Sequence, residues 1–205
     1  MRYALVMAFM AVLLATTAFA GVNDRATLPL HGKASSFEPC IGYLPVDCVS
    51  VPPDVDIAAG PTAIFLFVFN HVRLGGVQTA FQPNASWGYT FSLWDCRGNQ
   101  LNAVTPAPPW GPTAGSIVSA FDCVQNTELC VIGRMFFIAN TGCIEQVQSG
   151  FPFGTHVIDC NGVVDEIDDP LRLGKVCVGP GGNTACVPPV AVEPATWGSI
   201  KAQYN

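Results

Sequence analysis

The chain has 205 residues, 50% of them hydrophobic and 12% charged, with 20 glycines, 17 prolines and nine cysteines. Nine Lys and Arg against 15 Asp and Glu give a formal charge of −6. Such a chain is too apolar and too sparsely charged to stay unfolded. It is also too acidic to displace counterions from nucleic-acid phosphates, and its length suits one domain with a core of its own.

The N-terminal segment reads as an export leader. Arg2 supplies a positive start, Tyr3 to Leu14 is almost wholly apolar, and Ala18-Phe19-Ala20 puts small residues where a signal peptidase needs them. Cleavage is expected after Ala20, making residues 1–20 a signal peptide. The apolar run is short of a bilayer span, and no cysteine follows it to carry a lipid anchor. Beyond it there is no second apolar stretch long enough to span a membrane, since Ala63 to Phe69 is only strand length. The expected location is secreted, periplasmic or at the cell surface.

Residues 21–187 read as a β-rich domain. Leu28 to His31 is an opening edge strand. Thr62 to Phe69 (TAIFLFVF) is continuous and rich in aromatic and β-branched residues, the pattern of a strand buried on both faces. Gly76 to Gln82 is shorter and mixed. Trp87 to Trp94 alternates, with Trp87, Tyr89, Phe91 and Leu93 facing one way. Ser116 to Phe121 follows, then Cys130 to Ala139, where Gly133 marks a bulge or a close backbone approach. Cys143 to Gln148, Thr155 to Cys160 and Lys175 to Val178 complete the set. Turn-rich segments separate these runs, most clearly at Pro106 to Pro112, and the body shows no helical periodicity. Roughly eight short strands separated by turns predict an antiparallel sandwich or a barrel. Residues 188–194 form a proline-rich extended linker. Residues 195–205 form a short amphipathic helical tail, capped by Thr196, with Trp197, Ile200 and Tyr204 on one face.

All nine cysteines lie outside the leader, and in an oxidising compartment they predict disulfides. Structural zinc would need closer ligand pairs than these spacings provide. Spacing suggests Cys40 with Cys48 across a short loop, Cys177 with Cys186 about Gly179 to Gly182, and Cys143 with Cys160 about a hairpin centred on Phe151 to Gly154. Cys96 and Cys123, each ending a strand-like run, make a fourth staple. Cys130 is left as the odd thiol, either buried and inert or paired between molecules.

Catalytic motifs are missing. Gly115-Ser116-Ile117 lacks the second glycine of a nucleophile elbow, HExxH is absent, and Gly179-Pro180-Gly181-Gly182 has no Lys-Ser/Thr after it. No enzyme activity and no cofactor is expected. Asp159 to Asp169 is the densest polar segment, and Asp159, Asn161 and Asp165 are its calcium candidates. It resembles the calcium loops of dockerin modules, but Val163, Val164 and Pro170 stand where a ligand, a glycine and a bidentate Glu belong. The favoured reading is a strand, an Asn161-Gly162 turn and a second short strand. Among aromatics, Trp87, Tyr89 and Trp94 read as core, whereas Trp110 in its proline-rich loop is a candidate ligand contact. Asn84-Ala85-Ser86 is a glycosylation sequon.

The ending Thr196-Trp197-Gly198-x-Ile200-Lys201-x-x-Tyr204 resembles a C-terminal motif of secreted bacterial β-sandwich proteins. Val157-Ile158-Asp159-Cys160 and Arg172 to Gly179 are similar in style to the same group, and the general plan resembles cohesin-like and immunoglobulin-like sandwiches. The resemblance implies an all-β antiparallel sandwich (cohesin-like, immunoglobulin-like or jelly roll) of the extracellular space or envelope, and it brings no catalytic residues. It also implies that Trp197, Ile200 and Tyr204 form a docking face for sorting or attachment, or else pack on their own domain. The combined expectation is an exported non-catalytic binding or structural module whose partner is a surface protein or glycan. A carbohydrate- or calcium-binding domain and a secreted hydrolase are the alternatives.

Overall fold

The computed structural model describes residues 21–34, 48, 53–89, 94–96, 101–105, 115–125, 129–150 and 154–186. In chain order the strands are β1 (Leu30–Ala34), β2 (Asp56–Ile57), β3 (Gly60–Phe69), β4 (Arg73–Pro83), β5 (Gly88–Tyr89), β6 (Trp94–Asp95) and β7 (Leu101–Thr105). They continue as β8 (Gly115–Gln125), β9 (Leu129–Ala139), β10 (Cys143–Val147), β11 (His156–Ile158), β12 (Val164–Glu166) and β13 (Lys175–Val178). Among the described residues the helical content is one 3-10 turn, Pro170–Arg172. No helix among them is long and apolar enough to cross a membrane.

Two sheets form. The five-stranded sheet runs β1-β3-β9-β5, with β6 also on β9. The eight-stranded sheet runs β12-β11-β4-β10-β13-β2, with β8 on β4 and β7 on β8. All pairings are antiparallel except β13 with β2. Leu66, Val68, Ile132 and Phe137 from the first sheet share one core with Val77, Phe81, Ile117, Ile144, Val157 and Val176 from the second. That is a sandwich: each sheet hides one face on the other.

The apolar run in β3 is buried on both faces, as its composition requires. Ile64, Leu66 and Val68 enter the main core, while Phe65 and Phe67 form a second cluster with Ala63, Leu129 and Val131 on the outer face. Opposite this run β9 bulges. Leu66 pairs with Gly133 and Phe67 with Val131, so Ile132 is the extra residue. The opening strand lies slightly later than the pattern places it. Thr27 and Leu28 make isolated bridges to Phe69 and Leu173, and the ladder with β3 runs from Leu30 to Ala34.

The hairpin expected about Phe151 to Gly154 does not exist. β10 pairs with Ala80–Pro83 and β11 with Gly76–Gln78, so the two run end to end along one edge of β4. Cys143 and Cys160 therefore sit at opposite ends of that edge. Cys143 faces Cys177 across the β10–β13 ladder and is bonded to it, with Cα atoms 4.0 Å apart. Cys160 is bonded instead to Cys123, at the far end of β8. Cys48 is bonded to Cys186 rather than to Cys40, and Cys186 is thereby removed from Cys177. Cys96 is disulfide-bonded, but not to Cys123. Cys130 is a buried thiol. Local spacing misled because sheet register, not loop length, chooses the partner.

Cys40, Trp110, the linker 188–194 and the tail with Trp197, Ile200 and Tyr204 lie outside the described residues.

Candidate interaction surface

The Asp159 segment folds as a hairpin, and its turn differs from the expected two-residue type. Asp159 N–H donates to the Val163 carbonyl (2.8 Å), and Gly162 N–H donates to the Asp159 carbonyl (3.0 Å). Of the expected turn pair only Gly162 has positive φ, at 82°, and Asn161 does not. This is a type I turn closed by a glycine in the left-handed region, the three-residue alternative to an Asn-Gly pair. The second short strand follows as β12.

The Asp159 carboxylate fixes that turn. Its Oδ1 accepts from Asn161 N–H at 2.7 Å and Val163 N–H at 2.8 Å. Its Oδ2 lies 3.5 Å from the Arg73 guanidinium and accepts from Asn161 Nδ2 at 3.4 Å. Burial alone would raise its pKa. The Val163 and Asn161 N–H groups, helped by Arg73, outweigh burial and hold the carboxyl below its usual range.

Asp165, also buried, is engaged elsewhere. Its Oδ2 accepts the Asn23 N–H at 3.0 Å. The fully buried Asn23 then bridges onward, donating from Nδ2 to the Arg73 carbonyl (2.7 Å) and accepting at Oδ1 from Val72 N–H (2.9 Å). The calcium candidates therefore do not converge. Asp159 and Asn161 close their own turn while Asp165 holds the N-terminal segment, and no cluster of three or more His, Cys, Asp or Glu that could hold a metal occurs among the described residues.

Two more loops join the same end. Asp169 caps the 3-10 turn by accepting Leu171 N–H at 2.9 Å. Arg172 clamps the Ala26 carbonyl with Nε, at 2.8 Å, and with its terminal nitrogen. The Cys123–Cys160 bridge ties β8 to the Asp159 turn. Around this frame Val22, Val72, Val163, Val164 and Leu171 are exposed. Among the described residues the one other exposed large apolar side chain is Ile138. Asp24, Glu166, Asp168 and Asp169 are exposed beside them. These exposed apolar side chains thus stand on tied-down loops that also carry exposed carboxylates and Arg25. A pocket of about 120 Å³ adjoins them, lined by Gln148, Gly154, Thr155, Glu166, Ile167 and Asp168. Its amide is already engaged, since Gln148 accepts Thr155 N–H (2.9 Å) and donates to the Ile167 carbonyl (2.8 Å).

Trp87 and the three histidines are held within the fold. Trp87 is buried edge-on to Phe137 and donates its indole N–H to the Thr141 carbonyl at 2.9 Å. His31, His71 and His156 are all buried. His31 Nδ1 accepts the Asp54 N–H at 2.7 Å, which fixes the imidazole as the neutral Nε2–H form. Burial pushes its pKa down to about 4, against the opposing pull of Asp54. Sequence reasoning found Asp159 and Asp165 but missed Asn23, Arg73, Val72 and Leu171, and it met Arg172 only as part of the Arg172 to Gly179 block. Asn23, Arg73, Val72 and Arg172 are joined by hydrogen bonds between segments far apart in sequence, which leave no local motif.

No family model matches the chain, and no curated protein does. Among solved structures it is similar to a cohesin module of a family 33 glycoside hydrolase from Clostridium perfringens, at 8% identity and TM-score 0.46 over 75% of this chain and 98% of that one. It is similar to a type II cohesin from the Acetivibrio cellulolyticus cellulosome at 12% identity and TM-score 0.44, over 60% of this chain and 91% of the other. A type II cohesin from Bacteroides cellulosolvens aligns at 11% identity and TM-score 0.42, over 63% and 94%.

Proposed function

We propose that the chain is an exported, non-catalytic binding or structural module of the envelope or extracellular space. In this reading residues 1–20 are removed as a signal peptide and residues 195–205 serve attachment. The observation that carries it is the loop end where Val22, Val72, Val163 and Leu171 stand exposed among carboxylates on a hydrogen-bonded, disulfide-tied frame. Apolar side chains held in place at an exposed end suit a protein partner with apolar and basic groups of its own. The disulfides suit an oxidising compartment.

The test is retention in the envelope fraction of cells exporting the full chain. The double variant Val72→Glu, Leu171→Glu should lose retention while keeping its Tm, because both side chains are exposed. Deletion of residues 194–205 should release the protein into the medium. Equal retention by the parent, the double variant and the deletion would overturn the binding reading.

A further inference from the structure

The buried structure begins at once after the expected cleavage point. Asn23, Ala26 and Leu28 are fully buried, Thr27 bridges Phe69, and the Arg172 guanidinium holds the Ala26 carbonyl. At the head of this segment Gly21 lies against the Asp165 carboxylate so closely that a β-carbon at Gly21 would overlap it. Asp165 is itself buried, and among the described residues the Asn23 N–H donates to it at 3.0 Å. A carboxylate has room for further donors.

We propose that removal of the leader creates the missing donor: the new α-ammonium of Gly21 pairs with Asp165 and locks the N-terminal segment into the sandwich. The proposal rests on cleavage after Ala20. The balance is simple. Water hydrolyses the Ala20–Gly21 peptide bond, Ala20 leaves with the carboxylate, and the Gly21 nitrogen becomes an amine that is protonated at neutral pH. Amine and β-position are both substituents of the same Cα. Rotation about the Gly21 Cα–C bond therefore turns the freed nitrogen towards the carboxylate, and a backbone shift of about an ångström sets it at hydrogen-bond distance rather than in overlap. Before cleavage that nitrogen is a neutral amide tied to Ala20, and it can neither rotate freely nor carry charge. Glycine suits position 21 because a β-carbon there would overlap the Asp165 carboxylate. Arg172, which senses Asp24, Asp165, Asp168 and Asp169, lies nearby, and Arg25 and Arg73 stand on the neighbouring segments.

The experiment has two independent readouts. The full chain is exported in a host with a signal peptidase and its mass is measured. A product that does not begin at Gly21 overturns the processing step. Separately, Tm is compared for chains beginning at Gly21 and chains retaining Ala20 ahead of it, each with Asp165 and with Asp165→Asn. The extra residue should lower Tm by about 2–6 °C in the parent and have little effect in the Asp165→Asn background. An equal drop in both backgrounds, or none in the parent, overturns the ion pair even where processing is at Gly21. Should Asp165→Asn fail to fold, selective acetylation of the Gly21 amine in the otherwise intact chain replaces it. Acetylation must then lower Tm by a similar amount, and an unchanged Tm overturns the pair.

Discussion

Asp159 gathers in one carboxylate the contacts that hold the β11–β12 turn. Replacing it by Ala strands the Asn161 and Val163 N–H groups, each within 2.8 Å of the carboxylate, and removes the counter-charge of Arg73. A loss of about 1–3 kcal/mol in unfolding free energy by urea titration is expected. Asp159→Asn should lose less, since its amide oxygen keeps the acceptor for the backbone and Arg73 is partly solvent-screened. The same geometry governs calcium. With its lone pairs turned to its own turn and Asp165 bound to Asn23, added calcium should leave the Tm unchanged, and a rise in Tm with millimolar calcium would refute this account. The segment's polarity was plain in the sequence. Its purpose was not, because an Asp followed two residues on by Asn begins both a calcium loop and an Asx-closed turn.

At the level of elements, legibility followed burial pattern. β3 and β9 could be read because long apolar runs leave a strand between two packed layers few alternatives, and Gly133 signalled the bulge. β2 and β7 could not. Asp56–Ile57 is two residues long, and Leu101–Thr105 is an edge strand on β8. The largest error was the β10–β11 connection, where Gly and Pro around Phe151 suggested reversal. The chain instead leaves the edge of β4 and rejoins it, with Thr155 Oγ1 donating back to the Val147 carbonyl at 3.1 Å and accepting the Ser149 N–H at the same distance. A local hydrogen-bonded detour and a tight hairpin have the same turn composition. The consequence for stability is specific. Cys143–Cys177 closes a 34-residue separation between neighbouring strands, so converting both to Ala should cost about 3–4 kcal/mol. Urea unfolding of the double variant tests this. A change under about 1 kcal/mol would mean that the β10–β13 ladder constrains the chain without the bridge.

Across the whole molecule, two buried acid–base groups at different places, His31 and Asp159, have shifted pKa values that tie stability to pH. His31 joins β1 to the segment before β2 through its bond from Asp54 N–H, and the Gly32 N–H donates to the Asp54 carbonyl at 2.8 Å beside it. Protonating Nδ1 breaks the first bond and places a cation against Phe65 and Phe67, with Asp54 in favour and Lys33 against. The folded value of about 4 lies below the ordinary 6.5, so the unfolded chain takes the proton first. Stability is therefore full above about pH 6.5 and falls as pH drops towards 4, by about 1–3 kcal/mol in total. Asp159 acts lower. Its folded value is depressed, so its contribution is intact above the ordinary carboxylate range and is lost only below about pH 4, as the folded carboxyl takes its proton. Acid destabilisation should thus proceed in two separable windows. His31→Gln, whose amide oxygen still accepts the Asp54 N–H, should flatten the curve between pH 6.5 and 4 and leave the lower fall in place. Asp159→Asn should do the reverse. Urea midpoints measured across pH 3–8 for the parent and both variants decide the matter, and an upper window that survives His31→Gln would assign it to another group.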